Sequence, residues 1–344
     1  LARTTKLDEV NDAYDAGALS NRNLIINGAM QVAQRGTSVT GAGSSGYSTA
    51  DRWQHNASGG SLDLSQQSLT LGQTDIPQQI THFMRVACTT GNNNAGMWQK
   101  VEDVTSAQGT VTVSFYAKGT NPNGGSFELN IRQNYGSSGS TEDEQNETFS
   151  VTSSWQRFTF TLSLASLSGK TIAGGDDYVW VYFRQPSADT STNAWTLDFT
   201  GVQLELGDTA TPFEHISFGD QLQKCMRYFY AINAKGHPSS TSAAYARFIS
   251  FGQGANAAIW FPQYPVQMRA LPSLIATNVS SSTFQMFNYN AQTSVFLTGM
   301  SQAEGTQTTG QVVFTTASGI SAGDTVSLRW NLSPNASFQF DAEL

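Results

Sequence analysis

Residues 110–118 read TVTVSFYAK, 126–133 SFELNIRQ, 155–164 WQRFTFTLSL, 177–185 DYVWVYFRQ and 194–206 AWTLDFTGVQLEL. In the first run Val111, Val113 and Phe115 alternate with other residues, and in the second Phe127, Leu129 and Ile131 do the same. Phe158, Phe160, Leu162 and Leu164 repeat the pattern, as do Val179, Val181 and Phe183. In the last run Trp195, Leu197 and Phe199 alternate until the phase slips at Gly201. Successive side chains of a strand point to opposite faces, so a period of two marks a sheet with one face in a core and the other in solvent. Turn residues separate the runs, and no helix-length repeat lies between them. The reading is all-β: an antiparallel, jelly-roll-like β-sandwich of two sheets.

Working outward, the sandwich is expected over residues 23–217. It opens with NLIINGAMQVAQRG, a Gly/Ser/Thr loop at 36–49, and then Asp51, Arg52 and Trp53. Residues 1–22 form a lead-in in which Leu7, Val10 and Tyr14 share a helical face and Gly17 is a stop. A helix this short needs a neighbour to be stable, which makes it a candidate oligomer contact. A connecting helix is predicted at 218–230, with Phe218, Leu222, Cys225 and Phe229 on one face and Ser217 and Asp220 as an imperfect capping box. Residues 231–344 make a second small antiparallel β-domain, with strands expected in YARFISFG, NAAIWFP, TSVFLTG, GQVVFTT and TVSLRWNL and a weaker one in TFQMFNY. Pro262, Pro265 and Pro272 mark the stretch between two of them as a connection, because proline cannot donate within a ladder.

Composition narrows the function. Only 13% of the 344 residues are charged, about half the usual share of a soluble domain. Hydrophobic residues make up 39% and aromatics 11%, enough to exclude a disordered chain. The formal net charge is −8 and the 18 Lys and Arg form no cluster, so neither nucleic acid nor an anionic membrane surface is an expected partner. No run of eighteen apolar residues appears, so no membrane insertion is expected. The opening LARTTKLDEV has neither the length nor the apolar core of a signal peptide and no initiator Met, which predicts a fragment or a processed product. Cys88 and Cys225 leave a disulfide open, though Cys225 reads more simply as a buried small hydrophobe.

Chemistry leaves few marks. The four histidines lack ligand spacing, and no GxSxG elbow or phosphate loop occurs. Glu142, Asp143, Glu144 and Glu147 read as a solvated loop, and Asp176 and Asp177 as turn residues. Asp51 beside Arg52 suits a local salt bridge or a turn cap. No cofactor is expected. Jelly rolls can hold calcium between or beside their sheets, and Asp198 and Glu205 are the carboxylates on the last sandwich strand, but neither is assigned as a ligand and Asp198 reads as solvent-facing. The reading is non-enzymatic.

One surface invites a ligand. If Val179, Val181 and Phe183 face the core, then Tyr178, Trp180, Tyr182 and Arg184 face outward as three aromatics and a guanidinium in a row. Tyr116 alternates outward in the same way, as do Glu128, Asn130 and Arg132. Flat aromatics among amide, carboxylate and guanidinium groups suit the apolar face and ringed hydroxyls of a sugar. The same row also suits a contact between subunits or domains, cover by the loop at 36–49 or the helix at 218–229, or plain core packing.

Three stretches resemble a family of tailed-phage tail fibre and related virion structural proteins that carry a carbohydrate-binding-like jelly roll. They are NLIINGAMQVAQRG, the DRW at 51–53, and LELGDTATPFEHISFGDQLQKCMRYF at 204–229. Within the last, Pro212, Phe213, Glu214, Leu222, Cys225, Arg227, Tyr228 and Phe229 fall at the family's places. FISFGQG and FPQYPVQMRALPSL resemble the start of the domain that commonly follows. The resemblance implies a virion protein on an extracellular particle, a homotrimer working with other tail proteins, and a role in host attachment through a surface glycan. A purely structural fibre spacer and a polysaccharide depolymerase are the alternatives. The matching residues read as framework, so the ligand is left open.

Overall fold

The computed structural model describes residues 22–57, 59–90, 94–122, 124–186, 193–233, 246–277, 284–330 and 337–344. All but the last residue of the expected lead-in lies outside them. The chain divides into two compact units, one running to Leu222 and the other spanning Gln223–Glu343.

The first unit is a sandwich. Its strands are β1 (Ser38–Ala42), β2 (Gly46–Tyr47), β3 (Gln54–Asn56), β4 (Ser61–Ser68), β5 (His82–Thr90), β6 (Gly96–Glu102), β7 (Thr110–Thr120), β8 (Ser126–Asn134), β9 (Asp143–Ser150), β10 (Gln156–Ser163), β11 (Tyr178–Arg184) and β12 (Trp195–Leu206). One sheet has the order β1-β4-β5-β12-β7-β10 and the other β2-β3-β6-β11-β8-β9. Every strand pairing within each sheet is antiparallel, and the crossovers between distant strands are those of a jelly roll. The alternating residues named above fill the space between the sheets: Val111, Val113, Phe115, Phe127, Leu129, Ile131, Val179, Val181, Phe183, Leu197 and Phe199 are all buried in one cluster.

The phase slip at Gly201 is a β-bulge. The register of β12 on β7 shifts between Thr200 and Gln203, and Gly201 sits at φ 60°. A Cβ there would stand 2.8 Å from Ile80 Cδ1 and 3.0 Å from Tyr116 Cδ2, so both the backbone conformation and the space call for glycine.

The opening segment works as a clasp. Asn23 Nδ2 donates to the Val202 carbonyl at 3.0 Å, and the Leu204 amide donates to Asn23 Oδ1 at 3.1 Å. Asn27 Nδ2 donates to the carbonyls of Val32 (2.8 Å) and Asp51 (3.0 Å). The Trp53 indole N–H donates to the Asn27 carbonyl at 3.2 Å. Asp51 is fully buried and takes both the backbone N–H and the side-chain amide of Gln34. The DRW triplet is thus interior framework.

Helix α1 covers Phe218–Met226 and is capped as its sequence suggests: Ser217 Oγ accepts the Asp220 N–H at 3.2 Å and donates to its carboxylate at 2.7 Å. Two details differ from expectation. Phe218 is 55% exposed, and Phe229 belongs to the next strand, so the helix ends sooner than the spacing predicts. Cys88 and Cys225 are both buried, and no disulfide joins them.

In the second unit β13 (Phe229–Asn233), β16 (Ser273–Thr277) and β21 (Ser337–Asp341) form a three-stranded sheet. Strands β14 (Ala246–Gly254), β15 (Ala257–Trp260), β17 (Phe284–Asn288), β18 (Thr293–Gly305), β19 (Gly310–Thr316) and β20 (Thr325–Trp330) close into a barrel in the order β14-β15-β19-β18-β17-β20. Ala258, Trp260, Phe284, Met286, Phe314 and Leu328 are among its buried core. The proline-bounded stretch 261–272 makes only an isolated bridge, Gln263 to Thr309.

Candidate functional site

The second sheet sets the geometry of the proposed surface. Register places Trp180 between Lys100 of β6 and Arg132 of β8, Tyr182 between Trp98 and Asn130, Arg184 between Gly96 and Glu128, and Tyr178 between Glu102 and Asn134. β9 extends the face with Asn146 opposite Asn130 and Glu144 opposite Arg132. Tyr178, Trp180, Tyr182 and Arg184 therefore stand together with Glu128, Asn130 and Arg132. Trp98 joins them. Its strand was not read from sequence, although GMWQKVE carries the signal: Met97, Gln99 and Val101 point one way, Trp98 and Lys100 the other.

Tyr116 does not belong to this group. It lies on β7, in the other sheet, and packs with Ile80, Phe83 and Trp155 on that sheet's outer face. Alternation assigns a residue to a face of its own strand but does not say which of two sheets the strand joins.

The row is not open to water as its alternation predicts. Trp180 is 9% exposed, Trp98 8%, Arg184 6% and Tyr182 2%; Tyr178 alone is half-buried. The rings cover one another: Trp98 and Trp180 centroids are 5.2 Å apart, Trp98 meets Tyr182 edge-on at 4.9 Å, and Tyr178 lies 6.1 Å from Trp180. Cations roof what is left. The Arg132 guanidinium sits 4.1 Å from the Trp180 centroid, the Lys100 ammonium 4.4 Å from Tyr178, and the Arg184 guanidinium 5.4 Å from Tyr182.

Polar partners pin the rings. The Trp180 indole N–H donates to Asn130 Oδ1 at 2.6 Å, and Asn130 Nδ2 to Asn146 Oδ1 at 2.6 Å. The Trp98 N–H donates to Gln54 Oε1 at 2.8 Å. The Tyr182 hydroxyl donates to the Asn94 carbonyl, and burial pushes its phenol up to about 12. Arg184 donates through Nε to Glu128 Oε1 at 2.6 Å and through Nη2 to Asn146 at 3.2 Å.

At the Tyr178 end the face is more accessible. Arg132 bridges Glu142 (2.6 Å) and Glu144 (2.8 Å), and Asn134 Nδ2 donates to Glu142 at 2.6 Å. Desolvation by burial, then the Glu142 charge, raise the Tyr178 phenol. The acidic stretch is therefore not a loop: Asp143, Glu144 and Glu147 lie on β9, since pairing with β8 satisfies their backbone while the Asp143 and Glu144 side chains reach Lys170 and Arg132. Asp143 pairs with Lys170 and accepts the Tyr135 hydroxyl at 2.6 Å. The Lys170 hydrogen bond and then the Tyr135 one hold its carboxyl below the usual carboxylate range.

Asp198 also differs from expectation. Asp198 is buried and held by Arg85 through both oxygens at 2.8 Å. Glu205 is buried, accepts the Thr211 N–H at 3.2 Å and lies 3.4 Å from Arg22 Nε. Among the described residues no group of three or more His, Cys, Asp or Glu is placed to hold a metal.

No protein-family model matches the chain, and no curated protein sequence is similar to it. Solved structures share a partial likeness. The CBM22-2 xylan-binding domain of Xyn10C from Paenibacillus barcinonensis aligns over 45% of this chain and 92% of its own, at 14% identity and a TM-score of 0.31. The N-terminal cellulose-binding domain of β-1,4-glucanase C from Cellulomonas fimi aligns over 38% and 82%, at 20% identity and 0.28. The enzymatically active domain of tailspike protein 4 from bacteriophage CBA120 aligns over 54% and 22%, at 10% identity and 0.32. Likenesses this slight carry no weight for function.

Proposed function

We propose that this chain is a non-catalytic attachment module of an extracellular appendage, a tail fibre component of a virion that assembles as a homotrimer, and that the outer face of its second sheet contacts a host-surface glycan. The observation that carries the glycan contact is the half-exposed Tyr178 ring set beside Lys100, Arg132 and Asn134 on the adjacent strands, with Glu142 bound to Asn134 just before β9. A sugar ring would stack on Tyr178 where the Lys100 ammonium now lies, and its hydroxyls would meet the amide and the carboxylate. Trp180, Tyr182, Trp98 and Arg184 act behind this contact as a rigid floor, because their donors are already engaged within the protein. The virion setting and the trimer are supported by the family resemblance of the clasp, the DRW triplet and the stretch 204–229.

The enclosure of Trp180 favours a second reading, in which the cluster is packing alone and the module spaces or caps a fibre. Tyr178→Ala separates the two. With folding unchanged by circular dichroism, lost adsorption to host cells at an intact trimeric mass supports the glycan contact. Unchanged adsorption supports the spacer. A monomeric mass of the unaltered chain in light scattering at micromolar concentration would refute the trimer.

A further inference from the structure

A second groove, on the opposite side of the sandwich, has a chemistry the first surface lacks. On the outer face of the first sheet, register aligns Arg85 of β5, Asp198 of β12 and Lys118 of β7 in one row, and Ala87, Thr196 and Thr120 in the next. The large row stands as a wall beside the small one. Together with Ser153 they line a groove of about 520 Å3, within the range of small-ligand sites.

Charge in the wall is unbalanced. The one carboxylate, Asp198, is buried and has both oxygens engaged by Arg85, whose side chain is itself 43% exposed. Among the described residues Lys118 makes no ion pair; its ammonium rests over the Trp155 ring at 5.0 Å and the Phe83 ring at 5.8 Å. The row therefore carries one cation more than it carries anions, on a protein whose net charge is −8. An ammonium left over aromatic faces keeps its hydrogen-bond donors for an incoming acceptor. The small row supplies two hydroxyls and a methyl at its foot, with a third hydroxyl at Ser153.

We infer that this groove binds a sugar bearing an anionic group, with the anion on Lys118 and the exposed edge of Arg85 and the ring hydroxyls on Thr120, Thr196 and Ser153. A charge-assisted hydrogen bond to Lys118 supplies the preference for an acidic over a neutral sugar. Asp198 keeps Arg85 from swinging away, and although the guanidinium also lies 5.6 Å from the Phe83 ring, its side chain stays 43% exposed. The site stands independently of the glycan contact at Tyr178, since the two lie on different sheets.

The test is a titration of the full chain at low ionic strength, followed by amide chemical shifts, with methyl β-glucuronide, glucose 6-phosphate and methyl β-glucoside as probes. Saturable binding of either anionic probe is expected, with shifts at residues 85, 118 and 196, and which of them binds tells a carboxylate sugar from a phosphosugar. The neutral glucoside is expected to bind at least tenfold more weakly, and Lys118→Gln to weaken the anionic probe about tenfold. Lys118→Arg keeps the binding, and Tyr178→Ala leaves it untouched. Failure of both anionic probes to bind, equal binding of the neutral glucoside, or unchanged affinity in Lys118→Gln would overturn the inference.

Discussion

Replacing Glu128 by Gln tests the interior of the aromatic cluster most directly. Glu128 and Arg184 side chains are only 10% and 7% exposed, and Arg184 Nε donates to Glu128 Oε1 at 2.6 Å. At an effective dielectric of about 20, charges at that distance attract by about 6 kcal/mol, but removing both from water costs several kcal/mol each, so the intact pair contributes little net stability. Removing one charge is different. The other stays buried without its counterion, at a cost of about 3 to 5 kcal/mol. Arg184 keeps Asn146 at 3.2 Å and the Tyr182 ring, and Gln still offers an acceptor, which places the expected loss at about 3 kcal/mol. With a urea dependence of about 2 to 3 kcal/mol per M, the midpoint followed by tryptophan emission should fall by about 1 M. The double replacement Glu128→Leu with Arg184→Met removes both charges and should lie within about 1 kcal/mol of the unaltered chain. A single variant within about 0.5 kcal/mol, or a double variant as damaged as both singles together, would refute the account of a desolvated pair.

Two more perturbations have clear expected outcomes. Gly201→Ala places a Cβ against Ile80 and Tyr116 at a positive φ and should destabilise the sandwich by about 1 to 3 kcal/mol, read as a lower thermal midpoint; no change would mean the bulge relaxes freely. The Tyr182 phenol, raised from 10.0 to about 12, favours the folded state fully below pH 10, and this contribution is lost as the pH rises through 12. Alkaline unfolding of Tyr182→Phe should therefore depend less on pH between 10 and 12, and an identical profile would count against the buried phenol.

The sandwich was legible because its central strands alternate cleanly, and those residues are the ones between the sheets. The bulge was legible too, as a break in phase at Gly201. What periodicity withheld was adjacency. Nothing in the runs at 110–118 and 177–185 says that β7 and β11 lie in different sheets, so alternation alone groups Tyr116 with Trp180. The same silence hid the wall at Lys118, which exists only because β12 pairs with both β5 and β7 across long crossovers. Exposure escapes alternation for a related reason. Outward-facing is not wet when large side chains from adjacent strands lie over one another, and Trp98, Arg132 and Lys100 come from strands remote in sequence from Trp180. In the second unit the six barrel strands are legible, but β13, β16 and β21 are not, and closure of the barrel depends on β14 meeting β20, which no single run reveals.

The clasp at the start of the sandwich has a consequence in time. Asn23 bonds to Val202, Leu204 and Glu214, which lie 179, 181 and 191 positions further along the chain. At about 5 to 20 residues per second, a ribosome needs roughly 10 to 40 s after making Asn23 to deliver those partners. Throughout that interval Ile25, Met30 and Val32, all buried in the finished molecule, have no completed core to enter. Closure waits for the loop of nearly the whole unit, the slowest kind of contact to form. The part of the sandwich made first is thus among the last to be seated, and for most of its synthesis the sandwich carries an apolar strip that a chaperone or a neighbouring nascent chain can reach.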